Sequence, residues 1–333
     1  MNTFGKLFRI SIFGESHGKS VGVTLDGVPA GLPLEFKDFV NDLNRRRSGA
    51  KGTTPRKEAD LPKLISGVFN DHTTGAPLTI LFENTNTRSK DYSKLRETPR
   101  PGHADFVATK KFGGFEDFRG GGHFSGRLTL GLVASGVIAK KLLGSSIDIR
   151  AELVEAGGSA DVKAAIDRAV EEQDSIGGIV ECRVSGLPAG LGEPFFDSVE
   201  SVLSHMIFAI PAIKGIEFGS GFGAVKMKGS EHNDNIISQD GKTETNHAGG
   251  INGGITNGNE MVFRIAVKPT SSTAKKQHTM NLTTGKMDNL EIKGRHDTCI
   301  ALRVPVVLEA ATAIVLTDLM MQEQKIPGIM NRL

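Results

Sequence analysis

The chain contains no tryptophan and a single tyrosine among its 333 residues, and it has only two cysteines. Because Cys182 and Cys299 are far apart in the sequence, we expect no disulfide bond and a reducing compartment. The first residues carry no apolar signal segment, and no apolar run reaches about 18 residues without a charge or a proline. These absences predict a cytoplasmic protein that does not bind a membrane.

The chain also has no large excess of charge of either sign. The 40 lysines and arginines nearly balance the 38 aspartates and glutamates, which leaves a formal net charge of +2. Since few aromatic residues are available to stack on bases, this balance argues against a nucleic-acid-binding protein that uses the arginine run at 45–47. Any strong positive field must therefore be local.

Motifs for metal and nucleotide binding are absent as well. No C-x-x-C, H-E-x-x-H or EF-hand spacing occurs, so we expect no protein-held catalytic metal. No G-x-G-x-x-G opens a βαβ unit and no P-loop is present, which argues against the common nucleotide-binding folds. Glycine, by contrast, is abundant at 41 residues. It predicts many tight turns and close approaches of the backbone to a ligand.

The stretch at 100–143 is the centre of the sequence. It reads R-P-G-H-A-D-F, then R-G-G-G-H-F-S-G-R at 119–127, then a long apolar segment. Three consecutive glycines let the backbone take positive φ and bring its N–H groups close to an anion. The apolar segment at 128–143 predicts a buried helix whose positive dipole end follows the glycine turn. A glycine-rich turn into a core helix explains the same residues without a ligand.

Two histidines stand on predicted loops beside glycines. His17 lies between predicted strands at 7–13 and 21–25, and a simple turn histidine fits the same position. His103 is followed by Asp105, which either orients the imidazole or caps the next helix. Together with Asp297, these histidines are the acid–base candidates of the chain.

Cationic side chains gather near these candidates. The predicted amphipathic helix at 34–47 ends in three arginines, and Lys51, Arg56 and Lys57 lie in the loop beyond it. Such a group favours a phosphate or carboxylate clamp, although a solvated helix end has the same composition. The segment K-P-T-S-S at 268–272 offers a cation and hydroxyls to phosphate oxygens, or is a plain strand end. With Arg46, Arg100, Arg127 and Arg295, the set suits proton transfer on a multiply anionic small molecule.

The second half of the chain repeats the first in outline. The segment G-V-P-A-G-L at 27–32 recurs as G-L-P-A-G-L at 186–191, each between a predicted strand and a predicted helix. The strand at 77–82 has a counterpart near 260–265, and the helix at 128–143 has one that ends at Met321. We predict a single α+β domain over 1–333 with halves of about 1–150 and 151–333, pseudo-twofold symmetry and two long core helices side by side.

In this order, the motifs resemble those of the chorismate synthase family. They are F-G-E-S-H-G at 13–18, R-R-R at 45–47, R-P-G-H-A-D at 100–105, the glycine loop at 246–254, K-P-T-S-S at 268–272 and G-R-H-D at 294–297. The resemblance covers nearly the whole chain. It implies a 1,4-anti elimination of phosphate from 5-enolpyruvylshikimate 3-phosphate to give chorismate, the last step of the shikimate pathway. It also implies a homotetramer of β-α-β sandwich subunits, with long central helices between antiparallel sheets.

The resemblance further implies roles for particular residues. His17 and His103 would be the acid histidines, and Asp297 the carboxylate that helps to remove the ring proton. The reaction would need reduced FMN without net redox change, and NADPH where the enzyme reduces its own flavin. The substrate's anionic groups would lie among Arg46, Arg100, Arg127 and Lys51. The residues that would hold the flavin are His123, Phe124, Ser125, Pro211, Ala212, Gly253, Lys268, Pro269, Thr270, Ser271, Ser272 and Arg295.

The chain departs from the family pattern in its flavin loop. The family usually has R-G-G-G-R-S-S-A-R where this chain has R-G-G-G-H-F-S-G-R, so His123 and Phe124 replace an arginine and a serine. Pro211 stands where the family commonly has asparagine. We therefore predict weakened flavin binding. A flavin- or anion-binding homologue without catalytic activity is the alternative that these changes leave open.

Overall fold

The computed structural model describes residues 1–54, 58–86, 92, 95–292 and 296–330. Its helices α1 to α7 span Phe36–Arg46, Asp105–Phe112, Thr129–Leu143, Val162–Glu171, Val199–Ile207, Gly229–His232 and Val304–Gln322. Its strands β1 to β15 span Thr3–Phe4, Arg9–Gly14, Ser20–Asp26, Lys63–Ser66, Val68–Phe69, His72–Thr73, Leu78–Glu83, Asp148–Ala156, Gly178–Ser185, Ile213–Phe218, Ile251–Asn252, Ile255–Thr256, Met261–Val267, Gln277–Asn281 and Lys286–Leu290.

Two antiparallel sheets form the outer layers of the molecule. The strand order is β1-β2-β3-β7-β4 in the first sheet and β10-β13-β9-β8 in the second. In β13, Met261, Phe263, Ile265 and Val267 are buried and alternate with partly exposed residues. Because successive side chains of a strand point to opposite faces, one face of the sheet packs on the core and the other lies towards solvent.

Two long helices, α3 and α7, fill the space between the sheets. Helix α3 packs on the first sheet, α7 packs on the second, and the two helices pack on each other. A Cβ built on Gly136 of α3 would lie 2.3 Å from the Cβ of Ala310 in α7, so the helices approach too closely for a side chain there. Of the described residues, only the helical stretch Ile300–Gln322 is long and apolar enough to cross a membrane, and most of it is buried in this core. The predicted pair of central helices is confirmed.

The internal duplication is visible in the strand order. The series β2-β3-β7-β4 of the first sheet corresponds to β8-β9-β13-β10 of the second. The repeated turns share their hydrogen bonds too. The Thr73 hydroxyl donates to the Pro29 carbonyl and accepts from the Leu32 N–H. The Thr256 hydroxyl does the same with Pro188 and Leu191. The α+β sandwich is therefore built from two copies of one unit.

The ends of three elements have local causes. Strand β4 ends at Ser66 and β5 begins at Val68, because Gly67 between them has a φ of +83° and a Cβ there would lie 2.6 Å from the Cα of Leu78. Helix α1 begins at Phe36 rather than at the predicted residue 34, because the Asp38 carboxylate accepts from the Glu35 N–H and fixes the helix start. Helix α4 is capped by the Asp161 carboxylate and buries one face through Ala165, Ile166 and Ala169.

Candidate active site

A pocket of about 720 Å³, the main pocket, lies between the N-terminal strand, the glycine loop and the segment that follows β13. Its volume falls within the range of about 300–1,000 Å³ typical of small-molecule sites. Segments far apart in the sequence meet there, and most of the predicted flavin contacts line it. They are His123, Phe124, Ser125, Pro211, Ala212 and residues 268–272, and His103 lines the same pocket.

The imidazole of His103 is held by a carboxylate and a guanidinium. Its Nδ1 lies 2.6 Å from Oδ1 of Asp105 and 3.0 Å from Nη2 of Arg100. Because an ionised carboxylate only accepts, the shorter contact to Asp105 assigns the proton to Nδ1, which donates to the carboxylate and leaves Nε2 as the nitrogen that can exchange a proton. Burial alone would raise the pKa of Asp105, but hydrogen bonds from Arg100 and His103 outweigh it and hold that pKa well below its usual range.

Asp105 thus orients the histidine, which was one of two interpretations of its position. It is the first residue of α2 and provides no side-chain cap, because the N-cap of that helix is Ala104. Arg100 is buried and donates two side-chain hydrogen bonds to the Asp105 carboxylate. Its Nε lies 2.8 Å from Oδ2, and its Nη2 lies 2.8 Å from Oδ1. Its Nη1 also donates to the hydroxyl of Ser272 at 3.0 Å. Arg100 therefore links the His103 loop to the predicted flavin segment.

The other candidate histidine, His17, lies against the glycine loop. A Cβ on Gly120 would lie 2.1 Å from Nδ1 of His17, and one on Gly121 would lie 3.5 Å from Nε2 of His103. The same loop is tied to the His17 turn, because the Ser16 N–H donates to the Gly122 carbonyl at 3.0 Å. Glycine is needed at 120 so that the His17 imidazole can approach the loop, and at 121 it is favoured by a φ of +80°.

The glycine run does not open α3 directly, contrary to the prediction. Gly120, Gly121 and Gly122 have φ of 61°, 80° and 52° inside a pair of short turns. A second short turn, Gly126–Leu128, separates them from Thr129, where α3 begins. The glycines therefore shape the wall between the histidines rather than an anion site at the helix dipole.

An arginine cluster lies beside this loop and consists of Arg46, Arg127, Arg303, Asp60 and Asp297. Arg127 is buried and pairs with Asp60 at 2.9 Å, and Arg46 lies 3.6 Å from the same carboxylate. Arg303 lies 3.5 Å from Asp297. Three guanidinium groups thus face two carboxylates, which leaves the cluster positive.

A small recess of about 30 Å³ opens on this cluster. Arg46 and Arg303 line it together with residues of the main pocket wall, among them Gly126, Thr129 and Pro211. Burial, together with the neighbouring Arg303 charge, lowers the pKa of Arg46 to about 9. At neutral pH the guanidinium therefore stays charged, at an electrostatic cost that a bound anion would relieve.

Asp297 is fixed by the backbone of the loop after α1. Its Oδ1 accepts from the Thr54 N–H at 2.9 Å, while Oδ2 faces Arg303. Neighbouring His296 is partly buried, and burial followed by the Arg100 charge lowers its pKa. Asp297 is consequently a positioned carboxylate beside a neutral imidazole and within the arginine cluster.

Two lysines give the main pocket a second cationic side. Lys268 donates to the Gly102 carbonyl at 2.6 Å and to the Ser271 hydroxyl at 2.7 Å, and Lys214 lines the same pocket. Burial, followed by the Lys214 charge, lowers the pKa of Lys268. The hydroxyl of Thr270 is buried and finds no hydrogen-bond partner among the described residues. These groups are suited to an anionic ligand that brings its own acceptors.

The two substituted positions of the flavin loop have different surroundings. His123 is held by the Gly14 carbonyl at 2.8 Å from Nδ1 and by Oδ1 of Asn2 at 3.1 Å from Nε2. Phe124 is partly exposed, and its ring centroid lies 6.2 Å from that of Phe112. Both ring nitrogens of His123 therefore contact acceptors within the protein. Phe124 places an apolar ring where the family has a hydroxyl.

Some predicted site residues lie elsewhere. The Lys51 ammonium pairs with Asp167 at 2.5 Å on the surface and does not line the main pocket. Gly253 lies in the turn of the β11–β12 hairpin, where no atom comes within 4 Å of a Cβ built on it. Arg295, Arg56 and Lys57 lie outside the described residues, as does much of the predicted loop at 84–96.

Asp60 and Asn84 are site residues that sequence reasoning missed. The Asn84 amide donates to the carbonyls of Glu15 and Gly18, and its oxygen accepts from Arg127. Arg127 therefore steadies the His17 turn through Asn84. No local pattern in the sequence signals these contacts, because each partner is tens of residues away.

The fold and the main pocket together define an enzyme of the two-sheet α+β class that acts on a small molecule. The sequence profile of the chorismate synthase family matches residues 8–321. The chain belongs to this family and is a lyase. It is 68% identical over 325 residues to a chorismate synthase of Chitinophaga pinensis, with 98% of each chain covered.

More distant members of the family agree with this assignment. The chain is 46% identical to a chorismate synthase of Dehalococcoides mccartyi, with 99% of this chain and 100% of that protein covered. A crystal structure of a chorismate synthase matches with a TM-score of 0.73 at 25% identity, covering 96% of this chain and 93% of that one. The alternative of a homologue without catalytic activity is not favoured by these matches.

Proposed function

We propose that the chain eliminates phosphate from 5-enolpyruvylshikimate 3-phosphate to form chorismate, with reduced FMN bound in the main pocket. The observation that carries the proposal is the convergence of His103, residues 123–125 and residues 268–272 on that one pocket. In the reaction the allylic C–O bond to phosphate breaks, a ring proton leaves, and the ring gains a double bond. No net oxidation occurs.

The residues present fit a flavin phosphate and a polar flavin edge. The buried Thr270 hydroxyl has no hydrogen-bond partner in the described part of the chain, and Lys214 and Lys268 supply positive charge to the same pocket. Lys268, Ser271 and Ser272 would hold the group, with Pro211 and Ala212 beside them, since the Lys268 N–H donates to the Ala212 carbonyl at 2.9 Å. When bound, reduced FMN supplies electron density to the allylic system as the C–O bond breaks.

The three acid–base residues would act from fixed positions. With Nδ1 committed to Asp105, His103 handles a proton at Nε2, the edge that faces the glycine loop. His17 lies on the other side of that loop and would protonate the leaving phosphate or the flavin. Asp297, held by the Thr54 N–H and Arg303, would accept the ring proton. General acid–base catalysis of this kind contributes about 10²- to 10⁴-fold.

Substrate anions would bind at the arginine cluster. Arg46 and Arg303 line the recess that continues the main pocket, so they are the arginines placed to meet a carboxylate or phosphate. Arg127 and Arg100 are committed to Asp60 and Asp105, and we assign them to positioning the two histidine loops. Lys51 would have to leave Asp167 to join the substrate.

A homotetramer in the cytoplasm is the proposed working form, with NADPH as reductant where the enzyme reduces its own flavin. Phe195, Phe196 and Phe222 are 86%, 93% and 80% exposed, which is unusual for phenylalanine unless another subunit covers it. Gly253 does not line the main pocket, so we assign any flavin contact from it to a neighbouring copy. Size measurement in solution tests the assembly.

Anaerobic turnover with reduced FMN tests the reaction. Wild-type protein should release phosphate and form chorismate, and His103→Ala should lower turnover by about 10²- to 10⁴-fold. Asp297→Asn keeps the size of the side chain but not its basicity, so it should lose turnover while still binding substrate and FMN. Lys275→Met, at an exposed pair with Asp174, is the control and should behave like wild type. Absence of product from wild type, alongside an active relative, contradicts the proposal.

A further inference from the structure

A second pocket of about 500 Å³, the phenylalanine pocket, lies behind the glycine loop. It is enclosed by the end of β2, helix α2 and the segment at 115–118. Five phenylalanine rings line it, namely Phe13, Phe112, Phe115, Phe118 and Phe124. Its volume suits a small molecule, and its lining suits a flat apolar ring.

Much of this aromatic lining is left uncovered by the described residues. Phe112, Phe115 and Phe124 are 49%, 95% and 41% exposed. Apolar rings gathered around a cavity and left open to water favour a site that buries a ligand. The surface is concave, so a compact ligand covers it better than a flat partner surface would.

One carboxylate oxygen in this pocket has no partner. Oε1 of Glu116 accepts from the Thr109 hydroxyl at 2.7 Å, whereas Oε2 is buried and has no hydrogen-bond partner among the described residues. Leaving a carboxylate oxygen buried without a donor is costly. A ligand that donates an N–H to Oε2 would remove this cost.

The charges around the pocket favour a cation. Asp105 is satisfied by Arg100 and His103, and Asp117 is paired with Arg119 at 2.7 Å. The remaining acids on the lining are Glu15 and Glu116. Among the described residues that line the pocket, Arg96 is the one arginine or lysine, and its guanidinium lies over the Phe118 ring and donates to the Gly114 carbonyl. The Glu15 charge also acts on Arg119, which is already paired with Asp117.

We propose that the phenylalanine pocket binds a small aromatic molecule that carries an ammonium group, with the ring among the phenylalanines and the ammonium on Glu116. This site is separate from the main pocket, but the two share His103, His123 and Phe124 in their walls. An occupant therefore contacts Phe124 and the His103 loop from behind and weakens binding in the main pocket. That second effect rests on the proposed placement of the flavin, whereas the binding itself does not.

Calorimetric titration of the full chain with phenethylammonium tests the site. Wild type should bind it saturably, and the neutral phenethyl alcohol and the anionic phenylacetate should bind at least about tenfold more weakly, because only the ammonium meets Glu116 as a charged donor. Glu116→Gln keeps an acceptor for Thr109 and should weaken phenethylammonium binding by about tenfold or more. Glu200→Gln is the matched control, because Oε2 of Glu200 is also buried without a partner but lies on α5.

Each outcome decides the proposal. If the full chain shows no saturable binding of phenethylammonium, for example because a second copy closes the pocket, the proposal is overturned. Equal binding of phenethylammonium by Glu116→Gln and by wild type also overturns it. Phe112→Leu provides a second variant and should weaken the probe while leaving the fold intact by circular dichroism. FMN affinity measured by flavin fluorescence should fall when phenethylammonium is present. If phenethylammonium binds clearly and FMN affinity does not change, the effect on the main pocket is contradicted, while binding in the phenylalanine pocket stands.

Discussion

Nδ1 of His103 lies 2.6 Å from Oδ1 of Asp105, two residues along the chain. The carboxylate fixes which nitrogen carries the proton, and Arg100 keeps that carboxylate ionised by depressing its pKa against the effect of burial. The imidazole is therefore held with Nε2 towards the glycine loop. This local triad of Arg100, His103 and Asp105 is the part of the site that the structure defines in most detail.

The triad predicts a kinetic effect for Asp105→Asn. The amide can present its NH₂ group to Nδ1, which reverses the tautomer and removes the preference for Nε2 as the proton-accepting atom. We expect turnover to fall by about 10²-fold or more, with FMN binding retained. The measurement is anaerobic phosphate release compared with Asp174→Asn, a surface control. Turnover close to wild type would assign Asp105 to structure alone.

Gly120 should not tolerate a side chain. A Cβ there would meet the His17 imidazole at 2.1 Å, and its φ of +61° disfavours any other residue. Gly120→Ala should displace His17 and lower turnover by about 10²-fold, since small displacements of catalytic groups have effects of that size. Gly223→Ala is the control, because Gly223 does not line the main pocket and a Cβ there meets none of the described residues within 4 Å. If both variants lose equal activity, the His17 contact is not the cause.

The flavin loop should respond to restoration of the family pattern. His123→Arg together with Phe124→Ser introduces a permanent cation and a hydroxyl donor at the main pocket. We expect FMN to bind about tenfold more tightly. This gain is net of the His123 contacts with Gly14 and Asn2, which the substitution removes. Calorimetry with oxidised FMN measures the gain, and His278→Arg on the exposed β14 is the control. No gain would mean that the phenylalanine ring replaces the lost hydrogen bond.

A buried carboxylate on α7 should govern acid stability. Both oxygens of Glu309 accept from Arg45 at 2.7 Å, and Lys140 adds a contact at 3.0 Å. Burial would raise the pKa of Glu309, yet hydrogen bonds from Arg45 and Lys140 lower it overall. Because the folded pKa lies below the unfolded value of about 4.3, the unfolded chain binds more protons in that range. The stabilisation from ionised Glu309 is therefore fully present above the unfolded pKa of about 4.3, and it is lost as the pH falls through the pKa of the folded protein.

Glu309→Gln tests this pH dependence. Near neutral pH it should lower the free energy of unfolding by about 2 kcal/mol, because Arg45 and Lys140 then share Asp42 as their remaining acidic partner. The difference from wild type should shrink as the pH drops below about 4. Urea unfolding across that range measures it, with the exposed Glu323→Gln as control. A difference that does not vary with pH would exclude the carboxylate charge as its source.

The sequence predicts much of this fold because its signals are local or repeated. The alternation in β13, the apolar run of α3 and the recurrent turn at 27–32 and 186–191 each reflect one element. The contact between His103 and Asp105 is also local, since the two residues are two positions apart. The motif order then identifies the family without any distance information.

The remaining features depend on contacts between distant segments. Asp60 joins Arg127 across 67 positions, and nothing beside either residue indicates the other. The break at Gly67 follows from the approach of Leu78 on a neighbouring strand. Lys214 reaches the main pocket only because the second sheet packs on α7, and α7 packs on α3, the helix that follows the glycine loop. Such pairings follow from packing, which composition and spacing do not encode.

The duplicated scaffold is unequal at one connection. In the first half, the short loop at 15–19 joins β2 to β3 and holds His17 against the glycine loop. In the second half, the equivalent connection from β8 to β9 runs over 157–177 and contains α4. The two equivalent connections therefore differ in what they contribute: the first brings an imidazole to the glycine loop, and the second adds a helix that buries Ala165, Ile166 and Ala169 against the core.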